Sequence, residues 1–360
     1  MNTPNVNRQA SPDAKAANAA VSVRAMSAED IAHWDDFVLN CSEATFFHRS
    51  GWKTVIERAF GHKTWYLLAE RAGKIEGILP LAEIKSLLFG HFLSSLPFCV
   101  YGGIAANSEE ARHALDRAAQ ELAAQRQVGH LEYRNLRPFH SDWQGKDLYV
   151  TFRKEISDDD ETNMLAIPRK QRAMVRKGIK AQLQSEIDED IERFFTAYST
   201  SVHHLGTPVF SKKYFSLLKQ VFDEDCEILT IVKDGELIAS VMSFYFRDEV
   251  LPYYGGGMPA ARSLAGNDFM YWELMRRSAE RGIRIFDFGR SKQGTGSFDF
   301  KKNWGFEPQA LSYEYQLHGS KSVPDVNPLN PKYRLMIKLW QRMPIALANR
   351  IGPHIVKNLG

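Results

Sequence analysis

The sequence predicts a mixed α/β sandwich made of two tandem copies of one unit, and three observations carry that prediction. A glycine-bearing turn sits between two strand-like runs in each half, ERAGKIEG in the first and IVKDGELIA in the second. A helical run in each half, SEEARHALDRAAQELAAQ and NDFMYWELMRRSAERG, leads into a short strand with one acid in it, HLEYRN and RIFDFGR. The matched positions, Gly73 with Gly235, Tyr101 with Tyr254 and Glu132 with Asp287, lie roughly 160 residues apart. One matched turn can be chance. Four elements in the same order suggest an internal duplication.

The elements follow in order. Trp52 opens an apolar helical run in the first half, and Tyr214 with Phe215 opens its counterpart in the second. The Asp234-Gly235 pair predicts a tight hairpin, because both central positions tolerate φ > 0. VYGGI (100–104) is matched with YYGGG (253–257) as a further shared strand. The helix after each is expected to cross from one strand to a parallel neighbour.

The chain of 360 residues is longer than one hydrophobic core usually serves, so two units fit its length. Hydrophobic residues make up 44% and charged residues 25%, the balance of an ordinary globular protein. The net charge of +3 is too small to argue for nucleic acid, so any basic character is local. Cys41, Cys99 and Cys226 are far apart and read as free thiols. No ligand spacing for a metal is found, and no apolar run reaches the roughly 18 residues of a membrane span.

The expected divisions are a disordered N-terminus (1–21), a first unit (22–156), a charged linker (157–192), a second unit (193–318) and a basic tail (319–360). The opening residues are polar and alanine-rich and lack the apolar centre of a signal peptide, which points to a cytoplasmic chain. In the linker, SDDDE and SEIDEDIE flank PRKQRAMVRKGIK, which has six basic residues and no acid. Arg169, Arg172, Arg176 and Lys180 recur at spacings of a helix face. That face suits a phosphate-rich ligand, or it is a solvated face paired with the flanking acids. The tail from Val326 onward holds six basic residues and no acid, with Leu335, Met336, Leu339 and Met343 at helical spacing. It is read as a basic amphipathic helix, either at an anionic membrane surface or packed on the second unit.

A duplicated unit with these residues resembles the FemAB family of peptidyltransferases, built from two GNAT acyltransferase domains. The resemblance runs from about residue 23 to about 318. It rests on PRKQRAMVRKGIK, SVHHLGTPVFSKKYFSLL, YYGGG, FDFG and FKKNWG in that order. Within the family, the chain looks most like the branch associated with PEP-CTERM/exosortase and exopolysaccharide loci. The resemblance implies amide formation on a cell-envelope acceptor, with aminoacyl-tRNA as the donor, or acyl-CoA as in the wider GNAT fold. The acceptor is expected to be a phosphate-bearing or lipid-linked glycan or peptide. Rival readings are an acyl-CoA-dependent N-acyltransferase on an amino sugar and a non-catalytic scaffold at the inner membrane face. No tightly bound cofactor is expected.

The same resemblance assigns site residues. FKKNWG places Lys301 on the family's catalytic lysine, where a fixed cation would stabilise an oxyanion, with Phe300 walling the cleft. The alternative is a solvated strand-end lysine. SKQGTGS reads as a hairpin tip or loop. It is not a nucleotide-binding Walker loop, because Thr295 follows Gly294 where a lysine is needed. Asp287 sits among apolar strand residues, so it must pair, accept backbone N–H groups or face the site. The Gly289 backbone and Arg290 are its expected partners. The resemblance puts a tyrosine of the YYGGG strand beside substrate, and alternation sends Tyr253 and Tyr254 to opposite faces.

The chain also departs from the family. ARSLAGNDF lacks the second glycine of the usual CoA pyrophosphate loop, which weakens a CoA reading. The family's phosphate-contacting lysine position holds Ile56, and Phe210 stands at its second-half match. His203 and His204 read as surface or packing residues.

Overall fold

Two matched turns nucleate the architecture. Asp234 (φ 52°) and Gly235 (φ 81°) in the second half, and Ala72 (φ 48°) and Gly73 (φ 80°) in the first, all take the left-handed backbone that a two-residue hairpin requires. The computed structural model describes residues 19–86, 89–319, 322–323 and 331–358, with tail side chains from residue 336 onward. Most of the expected disordered segment, and the side chains of Lys332, Arg334 and Leu335, lie outside the described residues.

The first half supplies β1 (Ser22–Ala25), α1 (Ile31–Asn40), α2 (Gly51–Phe60), β2 (Lys63–Arg71), β3 (Lys74–Ser86) and β4 (Gly90–Ser94). It continues with β5 (Ala105–Ala106), α3 (Glu109–Arg126), β6 (His130–Asn135), β7 (Gln144–Lys146) and β8 (Tyr149–Glu155). The linker folds as α4 (Asp160–Ala166), α5 (Arg169–Lys180) and β9 (Gln184–Asp188). The second half supplies α6 (Glu192–His204), α7 (Lys212–Phe222), β10 (Cys226–Lys233), β11 (Glu236–Phe246), β12 (Glu249–Gly257), α8 (Pro259–Leu264) and α9 (Gly266–Glu280). Then come β13 (Ile285–Asp287), β14 (Ser291–Lys292), α10 (Gly296–Asn303), β15 (Pro308–Ala310) and β16 (Ser312–Leu317), with tail helices α11 (Pro331–Arg342) and α12 (Ile345–Val356).

Each half builds a mixed sheet. The first runs β1-β2-β3-β4-β6-β16-β7, with β5 beside β3. The second runs β14-β8-β13-β12-β11-β10-β9, with β15 beside β8. The parallel pairs, β4 with β6 and β12 with β13, are bridged by α3 and α9 as expected. The match of VYGGI with YYGGG fails. YYGGG ends β12, whereas residues 100–104 form no strand, and the place of β12 is taken by β4.

The halves also exchange strands across the boundaries expected at 156 and 318. β8 joins the second sheet beside β13, and β16 joins the first beside β6. A shared aromatic core seals them together. Phe46 of the first half stacks on Phe244 at 4.6 Å and meets Phe222 at 4.7 Å. Cys41, Cys99 and Cys226 are buried free thiols.

The stretch after β13 departs from the loop reading. Thr295 caps a helix by accepting from the Phe298 N–H, so FKK belongs to α10 rather than a strand end. The tail packs on α6. His203 Nε2 meets the Met343 carbonyl at 2.9 Å, and Gln341 donates to the His204 carbonyl at 2.7 Å. Further along, His62 of the first half meets the Lys357 carbonyl at 2.6 Å. Among the described residues no helix is long and apolar enough to cross a membrane.

Candidate active site

Asp287 ends β13, and the register of the exchanged strand sets Arg153 of β8 opposite it. Arg153 Nε lies 3.4 Å from the Asp287 carboxylate, and Arg153 also pairs with Glu249 of β12. Asp287 is 1% exposed and accepts from the Gly289 N–H at 2.7 Å and the Tyr101 hydroxyl at 3.0 Å. Burial pushes its carboxyl upward, against the pull of Arg153 and the Gly289 N–H. Glu249 is likewise raised by burial, to about 7, although Arg153 opposes this. Two acids thus share one arginine.

Gly289 connects this cluster to Lys301. Its φ of +67° turns its carbonyl back toward α10, a conformation that suits glycine. The Lys301 ammonium donates to the Gly289 and Arg290 carbonyls, each at 3.0 Å. At 9% exposure Lys301 is no solvated lysine. Burial pushes its pKa down to about 7, against the attraction of Asp287, while Arg290 adds to the fall. A lysine of this kind switches between cation and neutral amine near neutral pH.

Of the two partners expected for Asp287, the Gly289 N–H is present. Arg290 instead donates to the Tyr313 hydroxyl at 3.1 Å and lies over the Tyr149 ring at 4.6 Å. Phe300 is half-buried against Tyr271 and Trp304. Tyr253 and Tyr254 do not alternate. The register between β11 and β12 slips so that Met242 faces Tyr254 and Ser243 faces Pro252, leaving Tyr253 as the extra residue of a bulge. Both rings enter the core between the sheets. The Tyr253 hydroxyl donates to the Phe98 carbonyl at 2.8 Å, and the Tyr254 and Tyr214 hydroxyls meet at 2.8 Å.

The basic face lies on α5 as expected. Arg169, Arg172, Arg176, Lys177 and Lys180 lie together on one open surface of the helix, and none has an ion-pair partner among the described residues. Four of the flanking acids are engaged elsewhere. Glu186 and Asp188 pair with Arg193, Glu192 pairs with Lys212, and Asp159 caps α4. The opposite side of α5 is fixed to the start of α9. Gln171 donates to Asp268, as does the indole N–H of Trp304 at 3.1 Å, and Gly178 lies where any Cβ would strike Phe269.

Sequence reasoning missed a cleft of about 580 Å³ in the first half, lined among others by Glu43, His48, Tyr101, Arg112, Arg137 and Phe139. Tyr101 joins it to Asp287. Arg153 and Glu249 were missed as well, because strand exchange rather than local sequence brings them to Asp287. No cluster of three metal-ligating side chains occurs among the described residues.

Residues 168–302 match the family model of an acetyltransferase (GNAT) domain. That span opens one residue before α5 and closes one residue after Lys301. The fold is similar to the crystal structure of FemX, with a TM-score of 0.66 at 14% identity, covering 88% of this chain and 100% of that one. It is also similar to the C-terminal domain of a putative lysylphosphatidylglycerol synthetase from Agrobacterium fabrum (TM-score 0.55, 14% identity, covering 81% and 92%). A tandem GNAT protein from the clavulanic acid biosynthesis pathway has a TM-score of 0.54 at 12% identity, covering 84% and 100%. A search of the curated proteins finds no match. Residues 168–302 are therefore similar to a GNAT acetyltransferase domain, within a mixed α/β fold similar to that of tandem GNAT proteins.

Proposed function

We propose that this chain transfers an aminoacyl group from aminoacyl-tRNA to an amine on a cell-envelope glycan or peptide acceptor. The observation that carries the reading is the unpaired cationic face of α5, which lies within the span similar to a GNAT domain. Its cations extend over 12 residues, about 18 Å of helix. That is longer than one pyrophosphate needs and suits a run of nucleic-acid phosphates. The FemX-like fold and the FKKNWG motif point the same way.

In this reading the acceptor amine attacks the acyl carbonyl. A C–N bond forms, the bond to the donor oxygen breaks, and the leaving hydroxyl gains the proton that the amine loses. Lys301, as a cation, stabilises the intermediate oxyanion in a poorly hydrated site. Asp287 holds Gly289 and favours the charge on Lys301, which makes it a positioning residue. The acceptor enters through the first-half cleft, which reaches Asp287 by way of Tyr101.

The GNAT match favours a second reading, with acyl-CoA as donor. Against it, the ARSLAGNDF stretch leading into α9 lacks the second glycine of the usual CoA pyrophosphate loop. Melting temperatures with added aminoacyl-tRNA or acetyl-CoA separate the two, since a ligand that binds the folded state raises the transition. A rise with aminoacyl-tRNA alone supports the proposal. A rise with acetyl-CoA alone replaces the donor. No rise with either removes the transferase reading.

A further inference from the structure

We infer that the C-terminal helices form a docking surface for an anionic lipid bilayer. α11 and α12 bury one side against the protein. Ile337 lies against Gly206, and Gly352 against Val209. Ala348 and Val356 are buried. A helical pair whose apolar side chains served only this packing would present a polar face to water. These helices do not. Met336 is 64% exposed and Leu339 58%, while Ile345, Leu347 and Ile351 also face solvent. Leu205, at the end of α6 and beside the tail, is 70% exposed. Half of the large exposed apolar side chains among the described residues thus lie on the two tail helices or beside them, which marks an interaction surface rather than ordinary scatter.

The charge around this patch selects the occupant. Lys338, Arg342 and Arg350 are exposed among the apolar residues, and none forms an ion pair with a described residue. The sequence from Val326 to the end has no acid. A protein partner or a second copy of this patch would have to supply the missing anions, and two copies facing one another would bring cations together. A bilayer with anionic headgroups supplies anions at the surface and an apolar layer beneath them. Exposed leucine, isoleucine and methionine beside lysine and arginine match that layering.

The inference does not depend on which acyl donor is used. It is tested with the full chain by co-sedimentation with vesicles of phosphatidylcholine alone and of phosphatidylcholine with phosphatidylglycerol. Binding is expected to the anionic vesicles and to fall as salt rises. Lys338→Glu with Arg342→Glu is expected to weaken it about 25-fold or more, since each cation contributes about fivefold. Leu339→Gln with Leu347→Gln is expected to weaken it as well, with melting temperature unchanged because these side chains are exposed. Equal binding by the wild type and both variants, or no binding to anionic vesicles, overturns the inference. A dimer in sedimentation velocity that the leucine variant dissociates, without lipid binding, would also overturn it and assign the patch to self-association.

Discussion

Glu132 and Asp287 stand on matched strands, each beside a strand received from the other half, and the two acids are treated in opposite ways. In LEYR, the residue two positions after Glu132 is Arg134, whose guanidinium bonds the carboxylate at 3.2 Å. Ser94 and Tyr315 donate to it at 2.7 and 3.1 Å. Burial would raise this acid, but Arg134 and Ser94 outweigh it and hold its pKa near 2. In FDFG, the residue two positions after Asp287 is Gly289, which supplies an N–H in place of a charge. The arginine here comes from the exchanged strand and is shared with Glu249. The freed Gly289 carbonyl receives Lys301. One copy of the unit has closed its acid into a neutral structural pair, and the other has kept a larger cluster in which burial shifts Glu249 and Lys301 toward neutral pH. Perturbed groups of that kind are the ones chemistry uses.

Breaking the closed copy should cost stability and leave chemistry intact. Glu132→Gln strands the buried Arg134 charge and is expected to lower unfolding free energy by about 3–5 kcal/mol in a denaturant titration. Turnover per folded molecule should stay within about twofold, because Glu132 lies in the first sheet, away from Lys301. A specific loss of turnover would place the first copy in the mechanism.

Breaking the open copy should do the reverse. Lys301→Met fills the same volume without a charge to desolvate, so melting temperature should hold or rise. The rate of acyl release from the donor is expected to fall about 10²–10³-fold, the usual effect of losing one oxyanion donor. A rate within about threefold of wild type would remove Lys301 from the reaction.

The same lysine gives a signature in pH. Its folded pKa, about 7, lies below its unfolded value. Between about pH 7 and pH 10 the unfolded chain binds the extra proton, so stability rises with pH across that window. From pH 7 to 9, wild type should gain about 2 kcal/mol relative to Lys301→Met. Over the same range, activity that needs the cation should fall. The smallest expected effect is on the donor. Arg172→Glu with Arg176→Glu should weaken aminoacyl-tRNA binding about tenfold and reduce its salt slope by roughly 1.5 to 2. An unchanged slope would leave α5 as a solvated face.

These contrasts were partly legible in the sequence. The duplicated hairpins, the crossing helices, the basic face of α5 and the Asp287–Gly289 contact follow from local spacing and turn chemistry. Three features were missed. Arg153 meets Asp287 only because β8 pairs with the second sheet, and one sequence carries no register between distant strands. Tyr253 and Tyr254 share a side because a bulge cancels alternation, and a bulge depends on the partner strand. The helix carrying Lys301 could have been read from its threonine cap, but three glycines in FGRSKQGTG outweighed that signal.

In the second copy, burial and Asp287 poise Lys301 between cation and amine. Protein labelled with ¹³C at the lysine ε carbons, compared with Lys301→Met to identify the missing resonance, measures this directly. The resonance should titrate with a midpoint near 7, and the midpoint should fall further in Asp287→Asn, because the carboxylate favours the charged form. A midpoint near 10, indifferent to Asp287, would contradict the account.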